Sequence, residues 1–239
     1  MDLGKVLLFI FKSKIIHFGE IYRLISIHYF FMKQRIDIRK FRVLDVGFNK
    51  GVYKWYFSDV LGCSDYSGVE IDGNFLNKYP NTFYHDFEKN KLNKYYDLIF
   101  CSHVLEHIND DCSFINNMAH SLKNDNSILI LRIPMPTNDT VYFRKFNKKS
   151  HSHTEHVRDG YTLKEVKIIL NKINLKVDLS YLSIGSLGLF IHTFFEILRD
   201  YQIRFHRVLQ FPYIIISLVE IYLIKSKKTS DLLVVASKI

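Results

Sequence analysis

Residues 43–51, which read VLDVGFNKG, restrict the fold more than any other part of the chain. A short apolar strand runs into a turn that contains glycines, and a helical pattern follows. In such a turn the missing side chains let a ligand approach the backbone, and the next helix presents free N–H groups to an anion. The same turn also occurs where glycine only supplies a positive φ. Asp45, Gly47 and Gly51 are therefore candidates for a nucleotide-binding turn.

Glu70, nineteen residues after Gly51, is a second candidate for a nucleotide-binding residue. It follows the apolar Val69, so it is predicted at the carboxyl end of the next strand. Nucleotide-binding sheets carry an acidic residue at this place because a carboxylate can accept hydrogen bonds from both ribose hydroxyls. A solvated charge at a strand end is the alternative. The position beside the predicted turn favours the ribose.

From residue 41 onward, short β-rich runs alternate with helical segments. The strands are predicted at 41–46, 66–71, 82–84, 97–101, 127–133, 177–183 and 232–237. Helices are predicted at 52–61, 73–78 and 108–122, and a further one begins with a capping box of Thr162 and Glu165, next to a staple of Tyr161 and Val166. This alternation predicts an α/β fold, with a parallel sheet that helices cover on both faces.

The length suits one sizeable domain with additions. We divide the chain into an N-terminal helical extension (1–40), an α/β core (41–183 and 231–239) and an apolar helical insertion (184–230). The two apolar runs of the insertion, 184–198 and 211–224, each fall short of the roughly twenty residues that cross a bilayer. Buried or interfacial helices are therefore expected there.

The net charge of +9 is unevenly distributed. The excess is +5 in residues 1–40 and +3 in 184–230, against +1 in 41–183. Both basic regions are rich in apolar and aromatic residues, which suits an anionic membrane surface better than a nucleic-acid groove. We therefore expect a peripheral membrane contact and no nucleic-acid partner.

Cysteine usage and the start of the chain bear on the compartment. Cys63, Cys101 and Cys112 show neither a paired framework nor metal-ligand spacing, and an odd number suggests a reducing compartment. Residues 1–11 contain one short apolar run and no small-residue cleavage site, so no signal peptide is expected. These features predict a cytoplasmic protein.

The run 96–108, which reads YDLIFCSHVLEHI, gives the most specific signal. Together with residues 45–51, Glu70 and Asp86, it resembles the successive motifs of class I S-adenosylmethionine-dependent methyltransferases. The resemblance covers about residues 41–178, and 232–237 fits the final antiparallel strand of that family. It implies a Rossmann-like sheet of seven mostly parallel strands, with S-adenosyl-L-methionine as the cofactor.

The resemblance also implies roles for individual residues. Asp45 and the backbone of 47–51 would hold the methionine part of the cofactor, and Glu70 the ribose. Asp86 would accept a hydrogen bond from the adenine amine, while Phe87 or Ile71 would pack on the ring. Ser102 and His103 would lie under the sulfonium.

Position 49 departs from the family, which usually has glycine there. Asn49 tolerates left-handed backbone better than other non-glycine residues, so we expect the turn to keep its shape. Glu106 and His107 are expected to cap and pack the start of the helix after the fourth strand.

The segment 149–159, which reads KSHSHTEHVRD, is the most polar cluster. A helical pair of metal ligands is not expected just before a capping box, and no second cluster in the sequence completes a site. We therefore predict no metal and a loop over the substrate pocket. His156 is the candidate general base and Arg158 the candidate anion contact, with His103 as the other catalytic candidate.

The stretch 155–166, with an apolar addition before the last strand, resembles methyltransferases of bacterial surface-polysaccharide pathways. The acceptor would then be a sugar hydroxyl, carried on a nucleotide or a polyprenyl lipid. A quinone or lipid methyltransferase, a non-catalytic cofactor-binding module and a nicotinamide dehydrogenase are the alternatives. The missing third glycine and the run 97–108 count against the dehydrogenase. The sequence does not predict the oligomeric state.

Overall fold

The structure is a computed structural model that describes residues 3–12, 18–76, 78–136, 156–182, 187–188, 190–191, 194, 206–223 and 231–239. Within these residues, one sheet contains seven strands: β1 (Arg42–Val46), β2 (Asp65–Glu70), β3 (Thr82–Tyr84), β4 (Leu98–Ser102), β5 (Ile128–Pro134), β6 (Leu175–Leu182) and β7 (Asp231–Lys238). The strand order is β3-β2-β1-β4-β5-β7-β6. Strands β1 to β5 pair in parallel, and β7 runs antiparallel to both β5 and β6. The predicted sheet is confirmed.

Helices lie before the first strand and between the strands. They are α1 (Leu3–Lys12), α2 (Phe18–Lys33), α3 (Val52–Trp55), α4 (Asp111–His120), α5 (Leu163–Lys172) and α6 (His206–Leu223). Helix α3 continues as a π-helical turn, Tyr56–Val60, and a 3-10 turn, Leu105–His107, precedes α4. None of the helices in the described ranges is both long and apolar enough to span a membrane.

Two predicted helices differ from the observed elements. The prediction of a helix at 73–78 is wrong, since residues 73–76 form turns. The Asp72 carboxylate accepts a hydrogen bond from the Asn74 backbone N–H at 2.9 Å, which offers the chain a turn in place of a helix. The helix expected at 108–122 begins later, because Asp110 caps it by accepting from the Ser113 N–H at 2.9 Å.

Side chains alternate between the two faces of the sheet and build two apolar cores. Val43 and Phe100 face a core that contains residues of α1, α2, α3 and α6, whereas Leu44 and Ile99 face a core that contains residues of α4 and α5. This two-residue period is the one expected of strands. Helices therefore cover both faces, as predicted.

The helix before β6 begins as the sequence predicts. The Thr162 hydroxyl accepts from the Glu165 N–H, and the Glu165 carboxylate accepts from the Thr162 N–H. Tyr161 and Val166 are both buried in the same apolar core. The capping box therefore fixes where the chain enters α5, directly after the segment that carries His156.

The N-terminal helices and the insertion pack against each other over one face of the sheet. The Tyr22 hydroxyl in α2 donates to Glu220 in α6 at 3.1 Å, and the rings of Tyr29 and Tyr222 meet edge to face at 4.8 Å. Glu220 also accepts from the Gly188 N–H at 2.6 Å. Much of the apolar content of the basic regions is therefore buried inside the fold.

Candidate active site

The turn after β1 has the backbone that its glycines suggest. Gly47 and Gly51 both have φ of +74°, and Asn49 has φ of +45°. Asn49 thus adopts the left-handed conformation that was expected of it. The Gly47 N–H donates to the Val69 carbonyl at 2.9 Å, which ties the turn to the end of β2.

Side chains of the protein approach both glycines closely. A Cβ on Gly47 would lie 2.3 Å from Val104 Cγ2, and one on Gly51 would lie 2.7 Å from the ring of Tyr79. The Tyr79 hydroxyl also donates to the Lys50 carbonyl at 2.7 Å. Neither position has room for a side chain, so the turn requires glycine for space as well as for φ.

The Glu70 carboxylate is oriented at the end of β2 by backbone donors. One oxygen accepts from the Asn49 N–H at 3.1 Å, and the other accepts from the Ile71 N–H at 2.9 Å. An ionised carboxylate has about four acceptor positions, so it retains capacity for further donors. This arrangement suits the paired hydroxyls of a ribose.

Asp45 is buried under the turn, with 1% of its surface exposed. It accepts a hydrogen bond from the Tyr66 hydroxyl at 2.8 Å. Burial raises the pKa of Asp45 to about 7, although the Tyr66 bond lowers it, and the nearby Glu70 adds to the rise. The charge of this carboxylate therefore changes near neutral pH.

The residues predicted to hold adenine have different environments. Asp86 is paired with Lys89 at 2.9 Å, and this bond contributes most to lowering the pKa of Asp86. Phe87 is 1% exposed, and its ring meets those of His85 and Phe114. A ring in the core is not available to adenine, which corrects the expectation for Phe87 and leaves the 60%-exposed Ile71 as the available apolar contact.

Ser102 is the last residue of β4, the strand that lies between β1 and β5 in the sheet. Its side chain hydrogen-bonds to Tyr53, whose hydroxyl also accepts from the buried guanidinium of Arg132 at 2.7 Å. His103 follows with φ of +55°, and its N–H donates to the Arg132 carbonyl at 2.9 Å. The end of β4 is thus anchored to its neighbour β5.

Both ring nitrogens of His103 face carboxylates. Nε2 lies 3.1 Å from Asp231 and Nδ1 lies 3.3 Å from Glu106. Burial and Arg23 lower the pKa of His103, but the two carboxylates outweigh them and raise it. A ring that donates from both nitrogens has no free lone pair. His103 is therefore unsuited to accept a proton in this arrangement, which corrects its expected role as a base.

Glu106, His107 and His156 come together beside this point. One ligand atom from each lies within 4.8 Å of the other two, and the rings of His107 and His156 are perpendicular at 4.5 Å. The backbone holds the segments together, since the Val157 N–H donates to the Glu106 carbonyl at 3.0 Å. His156 is therefore near the carboxyl end of β4, where the methyl acceptor is expected.

Arg158, the predicted anion contact, already has partners within the protein. It forms an ion pair with Asp111 at 2.9 Å and lies over the ring of Tyr161 at 4.7 Å. Arg158 thus links α4 to the start of α5, and its predicted contact with an anion stays a prediction. Residues 149–155 of the same polar cluster lie outside the described residues.

Sequence reasoning missed the charged residues behind the site. Arg23 in α2 pairs with Glu20 and Asp231, both at 2.9 Å, and Asp231 is the first residue of β7. These residues are far apart in the sequence and belong to no motif. Arg132 was the one signal in the sequence for this charged group. It interrupts the apolar run of β5, and a buried arginine in a strand needs hydrogen-bonding or charged partners.

The strand order, the glycine turn after β1 and the carboxylate after β2 define the class of Rossmann-like nucleotide-binding proteins. Residues 17–179, about two thirds of the chain, match the family model of the methyltransferase domain. The chain therefore belongs to this family and is an S-adenosylmethionine-dependent methyltransferase. The left-handed glycine turn and the oriented Glu70 fit S-adenosylmethionine as its cofactor. The family assignment argues against two of the alternatives from the sequence, a nicotinamide dehydrogenase and a non-catalytic cofactor-binding module.

Solved structures share the fold. A methyltransferase from Mesorhizobium loti has a TM-score of 0.57 at 13% identity, covering 89% of this chain and 98% of that one. The magnesium protoporphyrin IX methyltransferase from Synechocystis, with bound S-adenosylhomocysteine, has 0.53 at 12%, covering 92% and 84%. A polyketide-synthase O-methyltransferase from Brevibacillus brevis has 0.55 at 17%, covering 87% and 71%. No curated protein matches the sequence significantly.

Proposed function

We propose that the protein O-methylates a hydroxyl of a sugar, either free, nucleotide-linked or lipid-linked. S-adenosylmethionine supplies the methyl group on its sulfonium when it is bound. The protein's part is to hold the acceptor in line with that group and to let the hydroxyl proton leave. The observation that carries this proposal is the cluster of Glu106, His107 and His156 at the carboxyl end of β4, because these groups can promote loss of a proton.

The sugar rests on the resemblance of residues 155–166 to polysaccharide-pathway methyltransferases. A lipid carrier is favoured by apolar side chains that stay exposed on the N-terminal helices and the insertion, which together form the helical cover over one face of the sheet. Examples with about half of their surface exposed are Leu8 in α1, Ile215 in α6 and Phe194. The same side chains suit a quinone or lipid acceptor, which is the second candidate. A peripheral contact with the inner face of the cytoplasmic membrane fits either acceptor.

Deleting the gene and analysing extracted glycans and lipids by mass spectrometry tests the acceptor. We expect one methyl group to be lost from a glycan. A loss from lipids with unchanged glycans would establish the second candidate instead. Vesicle sedimentation tests the membrane contact, which should need anionic lipid and weaken with salt. Equal binding to neutral vesicles would indicate apolar insertion.

Histidine variants test the site itself. We expect His156→Ala to lower turnover while cofactor affinity stays nearly unchanged. His103→Ala should also lower turnover, through the position of Glu106 rather than through proton transfer. Unchanged turnover in both variants would contradict a site at the end of β4.

A further inference from the structure

We infer that Glu106, His107 and His156 bind a divalent transition-metal cation. The sequence predicted no metal, because a helical pair of ligands is not expected just before a capping box and no second cluster in the sequence completes a site. The fold supplies that cluster, since the 3-10 turn after β4 brings Glu106 and His107 to His156, which is forty-nine residues beyond His107 in the sequence. Two imidazoles and a carboxylate form a common ligand set for such cations.

The distances between the three ligand atoms are close to the distances between atoms that coordinate a single ion. The three atoms lie within 4.8 Å of one another. Atoms that bind one ion at about 2.1 Å lie at most about 4.2 Å apart. Side-chain rotations that close the cluster by roughly half an ångström therefore suffice. The perpendicular rings of His107 and His156 allow their nitrogens to converge on one point.

Glu106 gives a second, independent indication of a ligand. It is 1% exposed, and its Oε2 has no hydrogen-bond partner among the described residues. A buried carboxylate oxygen without a donor is unfavourable, because nothing compensates for the water that it has lost. A cation coordinated at this oxygen would remove that penalty. The other oxygen faces His103 Nδ1 at 3.3 Å, which fixes the carboxylate as an outer hydrogen bond does in metal sites.

Three protein ligands leave positions open for small molecules. Such open positions are typical of catalytic rather than structural metal sites. Here the inference rests on the proposed function: an acceptor hydroxyl would bind the cation beside the methyl group. A cation held there would lower the pKa of that hydroxyl, so that its proton would pass to solvent water and its oxygen electron pair would bond to the methyl carbon as the methyl–sulfur bond breaks. His156 then acts as a ligand rather than as a base.

Cobalt(II) binding to the purified full-length chain, stripped beforehand with a chelator, tests the inference without any acceptor. We expect one Co²⁺ per chain, with a visible d–d spectrum that changes when the cluster is altered. Glu106→Gln, His107→Gln and His156→Gln should each weaken binding by about tenfold or more. His120→Gln is the matched control, because His120 is exposed at the end of α4 and should leave binding unchanged.

If Glu106→Gln fails to fold, His156→Gln still tests the site. His156 is only partly buried and lies before α5, so its replacement should leave the fold intact. Absence of a cobalt spectrum, or a spectrum that is equal in wild type and all three variants, overturns the inference. Methyl transfer to a glycan by the chelated enzyme overturns the catalytic role but leaves the proposed function standing. Cobalt binding at the cluster without any glycan methylation supports the metal site and contradicts the proposed acceptor.

Discussion

His103 Nε2 lies 3.1 Å from Asp231 Oδ2, so the residue after β4 is linked to the first residue of β7. The same carboxylate oxygen accepts from Arg23 Nε at 2.9 Å. An N-terminal helix, the end of β4 and the last strand thus meet at one buried charge. The helical cover is thereby joined electrostatically to the active site.

Replacing Asp231 by Asn should destabilise the protein strongly. The side chain is 3% exposed, and removing one partner of a buried charge pair typically costs roughly 3–5 kcal/mol. Urea unfolding at pH 7 measures the change. Asp37→Asn is the control, because Asp37 forms an exposed pair with Arg39 and its loss should have no measurable effect.

The contribution of Asp231 should also depend on pH. Burial raises its pKa, but the charges of Arg23 and His103 outweigh burial and hold the pKa far below its usual value. The native state therefore binds this proton less readily than the unfolded chain. The stabilisation is fully present above the unfolded pKa of about 4 and is lost as the pH falls below it. A difference between wild type and Asp231→Asn that stays constant into acid would contradict this linkage.

Asp45 should show the opposite dependence. Its pKa is raised to about 7, so the native state binds the proton more readily than the unfolded chain. Its contribution to stability is largest below about pH 4, decreases as the pH rises to 7 and is then constant. The free energy of unfolding of wild type relative to Asp45→Asn should fall by on the order of 4 kcal/mol across this range. Urea unfolding of both proteins at several pH values measures it.

Cofactor binding should respond to the same group. The α-amino group of S-adenosylmethionine is cationic, so it favours the ionised form of a nearby carboxylate. We expect affinity to rise with pH up to about 7 in the wild type, and to be weaker and less dependent on pH in Asp45→Asn. Calorimetric titrations in two buffers would also detect the released proton. Equal pH profiles in the two proteins would indicate that Asp45 only supports the turn.

The parts of the fold that follow from local chemistry were predicted well. The strands, the capping box at Thr162 and the left-handed Asn49 each depend on neighbours in the sequence. The helix expected near residue 75 failed because an Asp72 side chain offered the backbone a turn. Local competition of this kind is not visible in a hydrophobic pattern.

The inner part of the site depends on contacts between distant segments. The ring of His103 lost its expected role because Asp231, 128 residues away, occupies one of its nitrogens. His156 was predicted as a general base and stays a prediction in that role, whereas the neighbours that the fold gives it, Glu106 and His107, were expected only to cap and pack a helix. The position of a residue in a motif predicts the strand end at which the residue lies. Its protonation state depends on the charged groups that the fold places next to it.

Glu70→Gln should weaken cofactor binding while the turn keeps its shape. The amide oxygen of glutamine can still accept from the Asn49 N–H, but the amide NH2 group cannot accept from the Ile71 N–H, and the charge that strengthens hydrogen bonds to ribose is lost. Hydrogen bonds to a charged group contribute about 1.5–3 kcal/mol, so affinity should fall by about tenfold or more. Calorimetry with S-adenosylhomocysteine measures it. Asp72→Asn is the control, because Asp72 bonds to Asn74 instead; equal losses in both variants would exclude a specific ribose contact.

Gly47→Ala should damage both stability and cofactor binding. A non-glycine residue at φ of +74° costs roughly 1–2 kcal/mol, and the new methyl group would also collide with Val104 Cγ2 at 2.3 Å. In a Val104→Ala background the collision disappears but the backbone strain stays, so Gly47→Ala should be less harmful there. Gly73→Ala is the control, since no atom lies within 4 Å of its would-be Cβ. If Gly47→Ala were equally harmful in both backgrounds, Val104 would not be what confines this turn.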